Sequence, residues 1–191
     1  MSAFAYPGVV VLDDLFATHE LTDIAEQAGS LSFEEQDLGR GVIGRRYRAS
    51  TDAPDLAGLI WERLAPVLPP VSAFFSGGPG TPKLDPSIEH WVAEGCNPRL
   101  RVYRYGMGAS FSEHEDEPWR PDASRRTMLT VLIYLPCGGC EGGETVIEGH
   151  VVPILEGRVV VFDHGLLHEG RPVERGNKLT LRTDVVARPV T

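Results

Sequence analysis

Hydrophobic positions follow two rhythms along this chain. In the first third they are sparse and partly helical. Gly8 to Leu12 (GVVVL) is a short continuous apolar run and predicts a buried strand. Leu21, Ile24, Ala25 and Ala28 then recur at helical spacing, with Thr18 placed to cap the helix and Gly29 to end it. Leu56, Leu59, Ile60 and Leu64 share one helical face after Asp55, and Pro69-Pro70 predict its termination. Between the helices, Leu38 to Ser50 (LGRGVIGRRYRAS) is rich in Gly and Arg and reads as a loop or a short hairpin. Ser72 to Pro86 (SAFFSGGPGTPKLDP) reads as a loop, a connector or lid within one domain.

From Asn97 onward the rhythm changes to strand after strand, separated by turn residues. Arg99 to Tyr105, Thr127 to Leu135, Glu144 to Ile147, Arg158 to Phe162 and Lys178 to Val186 are all rich in β-formers. Short strands with Gly between them point to a sandwich or barrel. In the last of them Leu179, Leu181, Thr183 and Val185 alternate with Lys178, Thr180, Arg182 and Asp184. A barrel strand with one oily and one polar face has this alternation.

Composition narrows the function classes. At 191 residues one domain is expected, and 42% apolar residues suit a folded soluble protein. A net charge of −9, with no Lys/Arg-rich run, argues against a nucleic-acid surface. No stretch approaches the ~20 apolar residues of a membrane helix, and the first residues lack a basic region before their apolar run, so neither membrane nor export signal is expected. Three Cys suit a reducing cytosol, and a cytoplasmic location is the expectation. Cys137-Gly-Gly-Cys140 resembles half a zinc site or a redox pair, but only Cys96 remains to complete it; structural cysteines are the expected reading.

The chemistry centres on His114-Glu115-Asp116. In an extended segment residues i and i+2 point to one side, so His114 and Asp116 can reach one metal while Glu115 turns away. Alone, this is a common tripeptide. His168, just past the apolar strand Val159 to Phe162, supplies a second His, and two His with one carboxylate cover one face of an octahedral Fe(II). His164 competes for the role; Gly165 and the preceding β-run argue against the helix that an i, i+4 His pair would need, and a supporting histidine is the expected reading. Lys178, ten positions past His168, is the third feature. Facing inward it needs an anionic partner, such as the far carboxylate of a dicarboxylate cosubstrate; at an exposed strand start it would merely be solvated. The strand pattern leaves both open.

Taken together, RLRVYRYGMGASFSEHED, TMLTVLIYLP, EGGETVI, GRVVVFDHGLLHEGRPV and GNKLTLRTDVV resemble the Fe(II)- and 2-oxoglutarate-dependent oxygenases of the prolyl 4-hydroxylase-like family, in a microbial branch. The resemblance spans residues 97 to 186. It implies a mainly β fold, a double-stranded β-helix (jelly roll), with the N-terminal helices packed against one sheet. Residues 1–191 would be a single domain, with 1–96 a helical supporting part and 97–188 the catalytic core. By resemblance His114, Asp116 and His168 are the iron ligands and catalytic centre. Lys178 would hold the C5 carboxylate of 2-oxoglutarate, with Tyr105 and Thr130 as hydroxyl donors to it. Arg182 would share that carboxylate, pair with Asp184, or meet a substrate carboxylate. The implied cofactors are Fe(II), 2-oxoglutarate as cosubstrate and O2, and the implied reaction hydroxylates an unactivated C–H with succinate and CO2 as co-products. The carboxylate of Asp116 stands where related halogenases carry a small residue, so oxygen insertion is implied.

Candidate substrate-lining residues are Trp119, Arg120, Arg125 and Arg126, within a possible lid from Glu117 to Arg126, with Arg45, Arg46 and Tyr47 upstream. Arg101 and Tyr103 share a strand face with Tyr105. The substrate is expected to be a small molecule or a peptidyl side chain. Two other readings stay open at this point: a cupin-like jelly-roll metal enzyme without 2-oxoglutarate, and a non-catalytic binding module. The sequence says nothing of oligomeric state.

Overall fold

The period-two alternation sorts the molecule into an oily layer and a polar one. A computed structural model describes residues 4–36, 41–75 and 91–190. In chain order its strands are β1 (Phe4–Tyr6), β2 (Val9–Leu12), β3 (Glu34–Glu35), β4 (Val42–Ile43), β5 (Arg46–Asp52), β6 (Trp91–Cys96), β7 (Arg99–Tyr105), β8 (Ser110–His114), β9 (Arg126–Leu135), β10 (Cys140–Gly142), β11 (Thr145–Ile147), β12 (His150–Val152), β13 (Val159–Asp163), β14 (His168–Gly170), β15 (Val173–Gly176) and β16 (Lys178–Pro189). The helices are α1 (Thr18–Gly29) and α2 (Pro54–Leu64).

The larger sheet runs β1-β2-β13-β9-β16-β7-β5-β3, with β6 paired to the far end of β16. The smaller sheet runs β12-β11-β14-β8-β4, and β10 pairs with β15 as a separate ribbon. These pairings are antiparallel. The two sheets face each other as a jelly roll. The outer face of the larger sheet is the oily one. There Val131, Ile133, Val161, Leu181 and Val185 pack with Ile24 and Ala28 of α1 and Ile60 and Leu64 of α2.

The inner face of the larger sheet is polar, and its strand register lays out successive rows. Arg46, Tyr105 and Lys178 lie abreast on β5, β7 and β16. Arg48, Tyr103, Thr180 and Tyr134 form the next row, then Arg101, Arg182 and Leu132, then Asp184, Thr130 and Phe162. The smaller sheet turns Phe111, His114 and His168 toward these rows.

Several local expectations are corrected. Within Leu38–Ser50, residues 38–40 lie outside the described ones, and most of the rest is strand. β4 and β5 do not pair with each other: β4 joins β8 in the smaller sheet and β5 joins β7 in the larger. Gly44 makes that change of sheet possible. Its φ is +73°, and a Cβ there would meet the Ala109 backbone at 2.8 Å. β5 (RYRASTD) escaped the hydrophobic pattern because its inward residues Arg46 and Arg48 face a polar cavity. The N-terminal part thus supplies strands to both sides of the larger sheet besides its two helices.

Thr18 does not cap α1; Ala17 takes that place, and its N–H donates to Glu20 Oε2 at 2.9 Å. α2 begins with Pro54 in its first turn and ends at Leu64, before Pro69-Pro70. Of the expected loop Ser72–Pro86, residues 72–75 belong to a 3₁₀ turn with Phe74 and Phe75 buried, and residues 76–86 lie outside the described ones. No helix among the described residues is long and apolar enough to cross a membrane.

Leu181 is 1% exposed in the layer between sheet and helices. Leu181→Ala is expected to lower the unfolding free energy by about 2–5 kcal/mol, measured by urea denaturation. A loss below about 1 kcal/mol would show that this layer does not carry the stability of the fold.

Candidate metal and cosubstrate site

β8 and β14 are neighbours in the smaller sheet, and their register sets His168 directly opposite His114. Opposed residues on one face of an antiparallel pair bring their side chains together, and the two imidazole rings lie 4.2 Å apart between centroids. Asp116 follows just after β8, anchored where its N–H donates to the His164 carbonyl at 2.9 Å. Its carboxylate sits between the rings, 3.8 Å from His114 Nε2 and 3.6 Å from His168 Nε2. One donor atom from each of the three lies within 4.8 Å of the others.

The imidazoles are oriented alike. Nδ1–H of His114 donates to the Ser112 carbonyl and Nδ1–H of His168 to the Leu166 carbonyl, each at 2.9 Å. That leaves both Nε2 lone pairs for the cluster. Burial pushes His168 down to about 4 and lowers His114 as well, so both are neutral near pH 7. Burial works against ionisation of Asp116, yet Arg182, His168 and Thr130 hold its carboxyl below the usual range. Two neutral imidazoles and one carboxylate are the donor set suited to a facial Fe(II) site. Among the described residues no other group of His, Cys, Asp or Glu forms such a cluster.

The carboxylate itself is gripped on both oxygens. Arg182 Nη1 donates to Oδ1, and Thr130 Oγ1–H donates to Oδ2 at 2.5 Å. His164 Nδ1 lies 3.0 Å from the same Thr130 oxygen. Since that hydroxyl gives its proton to Asp116, His164 is the donor to it. His164 is therefore a support, as the sequence suggested. Arg182 also donates from Nη2 to Asp184 Oδ1 at 3.0 Å, and Arg101 lies 3.5 Å from Asp184 Oδ2. Burial opposes the charge on Arg182, but Asp184 and Asp116 outweigh it. Arg182 is thus placed with two acids: of the partners the sequence offered Asp184 is present, and Asp116 is added to it.

Lys178 lies at the other end of the inner face and is 3% exposed, so the solvated reading falls. Nζ donates to the Gly143 carbonyl at 2.6 Å and faces the rings of Tyr105 and Tyr134, 5.1 and 5.5 Å from their centroids. Gly143, in the E-G-G-E-T turn, has φ +75°, which brings its carbonyl inward. No carboxylate pairs with Lys178 among the described residues, and burial pushes its ammonium down to about 8.

The expected placement of Thr130 beside Lys178 is corrected. Thr130 lies opposite Asp184, six positions along β16 from Lys178, roughly 20 Å at ~3.3 Å per residue. The hydroxyls near Lys178 are those of Tyr105 and of Tyr134, which donates to Thr145 Oγ1 at 2.8 Å. Tyr134 was missed, although alternation from Thr130 through Leu132 places it on the same inward face, opposite Thr180. Arg46 lines the same cavity, and so do Arg48 and Gln36, which the sequence reading did not single out. Of the other lining candidates, Trp119 borders an adjoining pocket with Arg101, Tyr103 and Asp116. Arg125 pairs with Asp122, Arg126 stacks on Trp91, and Arg45, Tyr47 and Arg120 do not line the cavity. The three cysteines are free, and burial raises each thiol.

Comparison with known proteins agrees with this geometry. No curated protein sequence matches the chain. Its fold is similar to that of an oxidoreductase of the 2OG-Fe(II) oxygenase family from Burkholderia pseudomallei, at 20% identity and a TM-score of 0.63 over 95% of this chain and 85% of that one. It is also similar to a prolyl-4-hydroxylase from Pseudomonas putida, at 19% identity and 0.60 over 98% and 95%. The non-heme alpha ketoglutarate dependent carbocyclase SnoK from nogalamycin biosynthesis shares the fold at 12% identity and 0.63, over 94% and 79%. Identities this low speak for the fold alone. Residues 100–183, which carry the metal cluster and Lys178, match the family model of the 2OG-Fe(II) oxygenase superfamily. Over that segment the chain is similar to the superfamily, and the match supports a 2-oxoglutarate-dependent dioxygenase that uses Fe(II), 2-oxoglutarate and O2.

Proposed function

We propose that this oxygenase hydroxylates an unactivated C–H bond of a small molecule or of a protein side chain, releasing succinate and CO2. The observation that carries the reading is the combination, in one cavity, of the His114-Asp116-His168 cluster with a buried, acid-free Lys178. In this reading His114, Asp116 and His168 hold Fe(II) on one face. Bound iron supplies O2 activation coupled to oxidative decarboxylation of the 2-oxo acid. Lys178 receives the distal carboxylate of 2-oxoglutarate, with Tyr105 and the Tyr134–Thr145 pair beside it. Thr130 and Arg182 each hold one oxygen of Asp116, keeping the carboxylate aimed at the metal while His164 holds Thr130. A held carboxylate in the third protein position leaves no place there for a halide, which favours hydroxylation. Among the described residues the cavity measures about 220 Å³ and is open to one side.

Three outcomes test this assignment. Under anaerobic conditions Fe(II) with 2-oxoglutarate is expected to give a visible charge-transfer absorption, and His168→Ala to abolish it along with iron binding. Absence of the band in the wild type, together with no succinate under air, would sink the reading.

Thr130→Val is expected to weaken Fe(II) binding about 10- to 100-fold, as loss of a group supporting a metal ligand does. An unchanged dissociation constant from metal titration would remove Thr130 from this role.

The third concerns pH. The free enzyme's Lys178 titrates at about 8, and a carboxylate ligand prefers the protonated form. Below pH 8 the ammonium is already in place and the Kd of 2-oxoglutarate should be flat. Above it binding must take up a proton, so Kd should rise by up to about tenfold per pH unit. Lys178→Met is expected to raise Kd on the order of 30-fold and to flatten this profile. A pH-dependent profile surviving in Lys178→Met would show that another group binds the carboxylate.

A further inference from the structure

Arg46 is the feature of the cavity that the proposed reaction does not use. It is 5% exposed. Its guanidinium carbon lies 3.9 Å from the ring centroid of Phe111, 4.3 Å from Tyr103 and 5.1 Å from Tyr105. Nε is buried without a hydrogen-bond partner, and no carboxylate pairs with the side chain among the described residues. Aromatic faces offset only part of the desolvation of a guanidinium. The Tyr105 hydroxyl accepts from the guanidinium, but Nε finds no acceptor. Nor can the group shed its charge, since arginine does not deprotonate in proteins. A buried cation of this kind needs an anion.

Glu169 also lines the cavity, but no ion pair joins it or any other acid to Arg46 among the described residues. Arg182 is matched by Asp116 and Asp184. Of the two carboxylates of 2-oxoglutarate, one goes with the metal and the other with Lys178. Lys178 and Arg46 flank Tyr105 on either side in the same row, so a single distal carboxylate on Lys178 leaves Arg46 unmatched. Arg48, next on the inward face of β5, lines the cavity and an adjoining open groove, and the side chain of Gln36, its amide oxygen buried without a partner, lines both as well.

We infer that Arg46 is the anion-binding residue of a primary-substrate subsite that takes the carboxylate of a short carboxylic acid, with Arg48 at its outer edge. The inference rests on the proposed reading of Lys178 as the cosubstrate's partner. The position fits catalysis. Phe111 lies under the guanidinium and meets His114 edge-on with ring centroids 4.2 Å apart, so one aromatic ring separates the anion subsite from the metal ligand. An acid held there presents carbons a few bonds from its carboxylate to the metal.

The test uses the full chain loaded anaerobically with Fe(II) and 2-oxoglutarate. The probes are the free amino acids and straight-chain monocarboxylic acids, each beside its primary amide. Binding is read by calorimetry and by perturbation of the charge-transfer band. At least one acid is expected to bind, with its amide at least tenfold weaker. Arg46→Met should lose the acid by at least tenfold while the Kd of 2-oxoglutarate moves less than threefold, and Arg46→Lys should recover part of the loss. No acid binding, or acid and amide binding alike, overturns the proposal while leaving the cosubstrate assignment intact. A rise of tenfold or more in the 2-oxoglutarate Kd of Arg46→Met overturns it too, by making Arg46 a second cosubstrate clamp. An absent band in the wild type takes down both readings. If Arg46→Met does not fold, the acid–amide comparison on the wild type decides alone.

Discussion

Buried positive charge is the constraint on which this site is built. The inner face of the larger sheet carries Arg46, Lys178 and Arg182, each at least nine-tenths buried or held by buried acids. Burying a cation is tolerated when an anion meets it. Arg182 meets two, and with them it fixes Asp116 in place. Lys178 meets only a carbonyl and two aromatic rings. Arg46 is packed among aromatic rings. One cation is therefore part of the scaffold, and the other two pair with no acid among the described residues.

The metal cluster depends on a second constraint, the register between β8 and β14. A one-residue slip would turn His168 to the opposite face of the sheet. The register is supported from both sides, since β14 also pairs with β11, where Ile147 lies opposite His168 and is fully buried. Carbonyl contacts to each Nδ1 then fix which nitrogen faces the cluster. The oily outer face packed on α1 and α2 supplies the rigid backing for the same sheet whose inner face carries Tyr105 and Lys178.

Much of the site was legible in the residues. The i, i+2 geometry of His114 and Asp116 follows from strand periodicity, and the support role of His164 from the absence of a helix at Gly165; the inward face of Lys178 was left open by the strand pattern and is decided by its burial. Two placements were not legible. Thr130 was read toward the cosubstrate carboxylate, because a hydroxyl on an inward face says nothing of which end of the strand it serves. Tyr134 was passed over, although it shares that face. β5 was missed for a related reason: strand patterning seeks apolar residues inside, and here the inside is a polar cavity.

The sequence by itself determined the two-faced strands, the two helices and the residue types able to hold iron and a dicarboxylate, because side-chain period and donor chemistry are local properties. Only the tertiary structure decided that His168 lies opposite His114, that Arg182 serves Asp116, and that no acid pairs with Arg46 among the described residues. Those facts depend on which strands become neighbours and in what register, and on whether a buried charge finds its partner. Both are set by contacts between residues far apart in the chain.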